Sequence, residues 1–196
     1  MKYQHDADWD FCLEDRDAPI DLTLILPHYR ARYQPVDHRM AMFVSGNTES
    51  IKLKVVWTIH THLLHLLSNP FILQCRPFPR SKFCLSVHAK TSNVTIWLPS
   101  DFHGKIRFDP SNKVAFSAGF VNKILQNVRL NEPFPVDTYT EDDVVIVTRG
   151  RITFRMWDVQ SGSPENAHKE ALKRIFCGSS RKNPENGIDW DCLLKD

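Results

Sequence analysis

Three segments of the chain alternate apolar and polar residues with a period of two on either side of a short polar turn. No other feature restricts the fold as much. The segments are MAMFVSGNTESIKLKV, FCLSVHAKTSNVTIWLP and DVVIVTRGRITFRMW, turning at Ser45-Gly46-Asn47, Thr91-Ser92-Asn93 and Arg149-Gly150. Successive side chains of a strand point to opposite sides, so this period marks strands buried on one side only. Two such runs joined by a Gly- or Asn-bearing turn predict an antiparallel hairpin, with Gly and Asn supplying the positive φ that tight hairpin turns demand. The segments are too unevenly spaced to define a solenoid, yet they repeat one unit.

Alternation also assigns faces. Ile51, Leu53 and Val55, then Val94, Ile96 and Leu98, then Ile152, Phe154 and Met156 are expected to point into the core. Lys52, Lys54, Thr95, Trp97, Arg151, Thr153, Arg155 and Trp157 are left on the other side, which is basic and partly aromatic. Near the C-terminus, SGSPENAHKEALKRIFCG has the marks of a helix. Ser163 suits the N-cap, Pro164 the first helical position and Glu165 the positive end. Lys173, Arg174 and Gly178 suit the other end, and Ala167, Ala171, Leu172, Ile175 and Phe176 form an apolar stripe. Phe120 to Val128 fits a short helix or another strand.

The predicted fold class is therefore mainly β. Antiparallel hairpins form a sheet, a sandwich or a short β-roll, with one C-terminal α-helix packed on it. Residues 1–17 read as an acidic flexible segment, 18–160 as the β-rich domain, 161–178 as the helix and 179–196 as a tail. A length of 196 residues suits one domain with a real core.

One stretch, VVWTIHTHLLHLLSNPFILQC from Val55 to Cys75, lacks Lys, Arg, Asp and Glu. Its histidines, threonines and Ser68-Asn69-Pro70 break argue against a membrane span. His60, His62 and His65 do not share one face of a helix or of a strand, and no carboxylate or cysteine nearby completes a metal set. A short amphipathic helix accounts for them better, with Ile59, Leu63, Leu66 and Leu67 inward. Deleting the stretch joins IKLKV to RPFPRSKFCLSV with the spacing of neighbouring strands. Val codons begin with GT, and Phe-Ile-Leu-Gln can be encoded by a pyrimidine-rich tract ending in CAG. The stretch is thus expected to be translated intron, and an uninterrupted mature transcript containing it would refute that.

TSNVTIWLPSDFHGKI, FSAGFVNKILQNVRLNEP, VVIVTRGRITFRMWDVQSGSPEN and IDWDCLLKD resemble a domain-of-unknown-function family of basidiomycete, mushroom-forming fungi. The resemblance runs from about Ala18 to the end, excluding Val55–Cys75. It implies adhesin-like strand–SSNG–strand units, from which this chain departs because Val94 follows Ser92-Asn93. It brings no activity and no site residue.

Function is constrained mainly by exclusion. The net charge of +2 implies no whole-molecule attraction to nucleic acid or membrane. RGRITFRM echoes an RNA-recognition strand but carries Arg151 and Thr153 where stacking aromatics belong, so no nucleic-acid partner is assigned. There is no phosphate loop, no HExxH and no dinucleotide fingerprint. Ser100, Asp101 and His103 suit a turn better than a triad. The five cysteines lack CxxC spacing and read as reduced thiols. With no apolar run after a basic start, the expected location is cytoplasm or nucleus.

What remains is a non-catalytic binding or scaffold module without cofactor, metal or catalytic residues. The alternative is an enzyme whose site is assembled from loops. Trp97, Arg151, Arg155 and Trp157 are the candidate ligand-binding residues, because indole beside guanidinium suits stacking and anion recognition. The same tryptophans also suit packing beneath the helix. A protein partner is expected through this face or through the terminal Asp-Trp-Asp segments, Asp8-Trp9-Asp10 and Asp189-Trp190-Asp191.

Overall fold

The computed structural model describes residues 2–3, 9–27, 38–47, 50–58, 80–132, 141–166 and 168–170. Its strands are β1 (Lys2–Tyr3), β2 (Phe11–Asp15), β3 (Ile20–Pro27), β4 (Arg39–Gly46), β5 (Ile51–Thr58), β6 (Lys82–Ala89) and β7 (Val94–Pro99). They continue with β8 (Gly104–Phe108), β9 (Val114–Phe116), β10 (Val128–Leu130), β11 (Asp142–Val147), β12 (Ile152–Asp158) and β13 (Ser163–Pro164).

The mainly β fold holds, in two facing sheets. One has the order β1-β2-β4-β6-β11-β8-β10; the other runs β13-β12-β7-β5-β3, with β9 also on β12. The antiparallel hairpins do not hold. β4 and β5 lie in different sheets, as do β6 and β7, and β11 and β12. The long strands instead pair in parallel with neighbours in the winding: β3 with β5, β5 with β7, β7 with β12, and β2 with β4, β4 with β6, β6 with β11, β11 with β8. The chain thus coils, and each polar turn carries it across a corner from one sheet to the other. Alternation records which side of a strand is buried; a strand facing another sheet across a core has the same alternation as a hairpin strand, so it is silent about the pairing partner.

The glycines bear this out. Gly46 and Gly150 do not have positive φ; among the described residues only Asn131 and Gly162 do. Gly162, at φ 60°, lies in the short turn between β12 and β13, which do pair antiparallel. Gly150 is required for a different reason. A Cβ there would stand 2.3 Å from the Ser92 carbonyl oxygen, because the β11–β12 turn presses on the β6–β7 turn.

The winding is not sequential. β8 and β9 form the last coil, and β11–β12, which follow them in the chain, insert between that coil and β6–β7. Facing predictions survive in full: Ile51, Leu53, Val55, Val94, Ile96, Leu98, Ile152, Phe154 and Met156 are all buried. Leu53, Ile96 and Phe154 sit in one cross-strand row, and Ile51, Val94 and Ile152 in the next. Around Phe154, Phe116 stacks at 5.5 Å and 14°, and Phe120 and Phe108 approach to 5.5 and 6.2 Å. Residues 120–128 are a π-helical turn at Phe120–Ile124 and a 3-10 turn at Leu125–Asn127, leading into β10. They return the chain between the sheets while burying Phe120 and Ile124.

The segment 1–17 contributes β2, with Cys12 and Leu13 buried against β4, so this part is built into the sheet. Ser163 and Pro164 are β13 rather than the start of a helix, since their backbone is taken up by the edge of β12. Helical backbone is described here only at His168–Glu170, where Asn166 Oδ1 accepts from Lys169 N and Asn166 O from Glu170 N. The remainder of the expected helix lies outside the described residues. So do residues 59–79, including His60, His62 and His65. Val55–Thr58, the start of the uncharged stretch, form the end of β5, with Val55 and Trp57 in the core. Among the described residues, no helix is long and apolar enough to cross a membrane.

Candidate functional site, a basic corner of stacked turns

Because the strands wind in parallel, their turns stack at a common corner. Three meet there: 90–93 after β6, 148–151 after β11 and 109–113 after β8. Backbone bonds tie them together, Arg149 N to Lys90 O at 2.9 Å, Val94 N to Arg151 O at 2.9 Å and Ile152 N to Lys113 O at 3.0 Å. Side chains finish the job. Thr148 Oγ1 donates to Ser92 O and accepts from Gly150 N, each at 2.9 Å. Asn93 Oδ1 accepts from Arg151 N at 2.9 Å, and Asn112 Nδ2 donates to Thr148 O at 2.8 Å. Asn and Thr populate this corner because their short polar side chains satisfy turn backbone that no strand reaches.

The surface this leaves is concave. An open cleft of about 460 Å³ is lined by Asp109, Ser111, Asn112, Lys113, Thr148, Arg149, Gly150 and Arg151. A second of about 600 Å³ adjoins it, sharing Asp109, Thr148 and Arg149 and adding Lys90 and the more apolar Ala89 and Val147. Four cations therefore border one corner. Among the described residues, none of Lys90, Lys113, Arg149 and Arg151 enters an ion pair, whereas Lys54, Arg80, Arg107, Arg129 and Arg155 all do. The nearby acid, Asp109, is occupied locally: its Oδ1 accepts from Ser111 N at 2.9 Å, and that bond holds the carboxyl below its usual range. Asn112 Oδ1 is buried with no hydrogen-bond partner.

The four residues picked out from the sequence divide. Arg151 lines the basic corner. Trp97 and Arg155 face outward in one row with Lys54, and the guanidinium of Arg155 and the ammonium of Lys54 lie 5.4 and 5.8 Å from the indole centroid. Arg155 also reaches the buried Glu165, Nε to Oε1 at 3.5 Å, while Glu165 Oε2 accepts from Gly119 N at 2.8 Å. The Trp97 ring thus already has cationic company, and Arg155 balances a buried charge. Trp157 is half-buried and pairs in register with Pro99 on one side and Pro164 on the other.

A second polar cluster joins the sheets. Arg80 pairs with Asp142, donating to its Oδ2 from both Nη1 and Nη2, and lies 4.9 Å above the Trp57 ring. Trp57 Nε1 donates to Asp101 Oδ1 at 2.9 Å, and Asp142 Oδ1 accepts from Phe83 N at 3.2 Å. Burial pushes the Asp142 carboxyl above its ordinary value, with Arg80 pulling it back. Gly104 makes room, since a Cβ there would meet the Asp142 carbonyl at 2.0 Å. Asp101 is committed to this cluster, Ser100 Oγ accepts from Val159 N, and His103 is exposed, so the Ser100, Asp101 and His103 side chains serve the turn and its neighbours. Cys12 and Cys84 are free thiols, and burial followed by the charge of Asp143 pushes the Cys84 thiol up, away from nucleophilic use. Among the described residues, no group of three His, Cys, Asp or Glu side chains is placed to hold a metal.

Of the cations lining this cleft, the sequence reading singles out Arg151 but not Lys113 or Arg149. Lys113 lies far from them in the chain, and only the insertion of β11–β12 against β8–β9 brings the two turns together. Comparison with family models, curated proteins and solved structures finds no match.

Proposed function

We propose that the protein is a non-catalytic binding module that takes an anionic group, such as a phosphate, sulfate or carboxylate, at the corner of stacked turns. The observation that carries this reading is the convergence of Lys113, Arg149 and Arg151 on one cleft, with no ion pair to any of them among the described residues. Cations that merely stabilise a fold are found beside carboxylates, as Arg80 and Arg155 are. Guanidinium groups offer forked donors matched to oxyanions, and two of them flank a glycine whose turn is pinned from three directions. A rigid backbone under exposed cations lowers the ordering cost of binding.

Calorimetric titration with inorganic phosphate and with a sulfated disaccharide tests this. Binding should appear with a Kd of about 1 mM or tighter, and weaken as salt is raised. Joint replacement of Lys113, Arg149 and Arg151 by Ala should reduce affinity at least tenfold, while Lys52→Ala on the neighbouring sheet face leaves it intact. Equal binding by the triple variant, or none by the native chain, defeats the reading.

A further inference from the structure

The octapeptide Asp8–Asp15, DWDFCLED, recurs at the other end of the chain as Asp189–Asp196, DWDCLLKD, identical at five of the eight positions (Asp, Trp, Asp, Leu and Asp). The structure shows what the first copy does. Asp10 Oδ2 accepts from Ala41 N at 2.7 Å, and Asp10 N donates to Ala41 O at 2.8 Å, so this residue starts the parallel ladder of β2 on β4. Trp9 lies over Phe43 with ring centroids 5.4 Å apart, and His88 meets the same ring edge-on at 5.0 Å. Cys12 and Leu13 are buried, on opposite sides of the sheet.

The Asp, Trp and Leu positions that dock the first copy are kept in the second, while Phe11, partly buried against the core, is replaced by the smaller apolar Cys192. Asp191 can take the Ala41 N–H as Asp10 does, Trp190 matches Trp9, and Leu193 and Leu194 match Cys12 and Leu13 with apolar side chains. The receptor is the side of β4 that β2 covers, with its Phe43 ring. We propose that residues 189–196 are a second occupant of this receptor, exchanging with residues 8–15 of the same chain. The own tail, rather than another copy, is favoured by reach. Glu170 is anchored where Asn122 Nδ2 donates to its carbonyl at 3.0 Å. The 18 residues from 171 to 188 extend to about 60 Å, against a diameter of about 40 Å for a domain this size. A tether that short gives the tail an effective concentration on the order of millimolar, above that of a free second copy.

Amide hydrogen exchange on the full chain tests the exchange from both ends. Trp9→Ala weakens the first occupant, and Asp191 to Leu194 should then gain at least tenfold protection at a level independent of protein concentration. Adding Phe43→Ala should abolish the gain. Trp190→Ala removes the competitor, so Phe11 to Leu13 should gain protection. Unchanged exchange in Trp190→Ala overturns the proposal even should Trp9→Ala fail to fold. Protection that grows with protein concentration, together with dimers in size-exclusion chromatography, also overturns it, because the occupant is then a second copy.

Discussion

Replacing Arg80 by Met should make the protein's stability depend on pH in a direction that can be worked out from the structure. The Asp142 side chain is fully buried and Arg80 is its charge partner, with its own side chain only 17% exposed. Removing one member of a buried pair leaves an uncompensated charge and costs about 3–5 kcal/mol. Here the loss should fall at the lower end, about 3 kcal/mol near neutral pH, since Asp142 keeps the Phe83 N–H and can take up a proton. Burial already holds this carboxyl above its ordinary value, and Arg80 is the strongest influence lowering it. A carboxyl raised in the folded state contributes stability that is whole below the unfolded value and is lost as pH climbs through the folded one. Without Arg80 the folded value rises further, and the window widens by about 1.4 kcal/mol for each unit of that rise. Urea midpoints at about pH 5 and about pH 7.5, followed by tryptophan fluorescence, should show Arg80→Met recovering stability in acid relative to the native chain. Adding Asp142→Asn should flatten the difference. An equal loss at both pH values, or a variant that strengthens as pH rises, refutes the reasoning.

Gly150→Ala forces a Cβ against the Ser92 carbonyl and should lower stability by about 1–3 kcal/mol, read as a shifted urea midpoint. Phe154→Ala empties the centre of four packed rings and should cost about 3–5 kcal/mol by the same measure. Asn93→Ala removes the acceptor for Arg151 N at an exposed position, costing about 1 kcal/mol while reducing anion affinity by loosening the turn. The joint Ala variant of Lys113, Arg149 and Arg151 should leave thermal stability unchanged within about 0.5 kcal/mol, since the described structure gives these side chains no ion pair to lose.

How much of this was legible follows from what each pattern encodes. Period-two alternation reports which side of a strand meets the core, and it placed Ile152, Phe154 and Met156 correctly. It carries no information on which strand lies alongside. Leu53 meets Ile96 and Ile96 meets Phe154 across gaps of dozens of residues, a long-range choice that local turn chemistry does not express. The turn glycines misled for the same reason. Gly150 marks close approach between stacked coils and Gly162 marks a hairpin, and the bare letter does not tell the two apart. Ser163 and Pro164 carry helix-start chemistry, but the side of β12 beyond β9 takes up their backbone as β13. Arg151 was visible as an outward cation, whereas its partnership with Lys113 exists only through the out-of-order insertion of β11 and β12.

The most direct test follows backbone amide shifts during titration of the native chain with inorganic phosphate. Residues 111–113 and 149–151 should move together along one binding curve, with Lys52 and Lys54 still. Shifts confined to one of the two turns, or spread over the outer sheet face instead, would contradict the convergence of these turns on a single anion site.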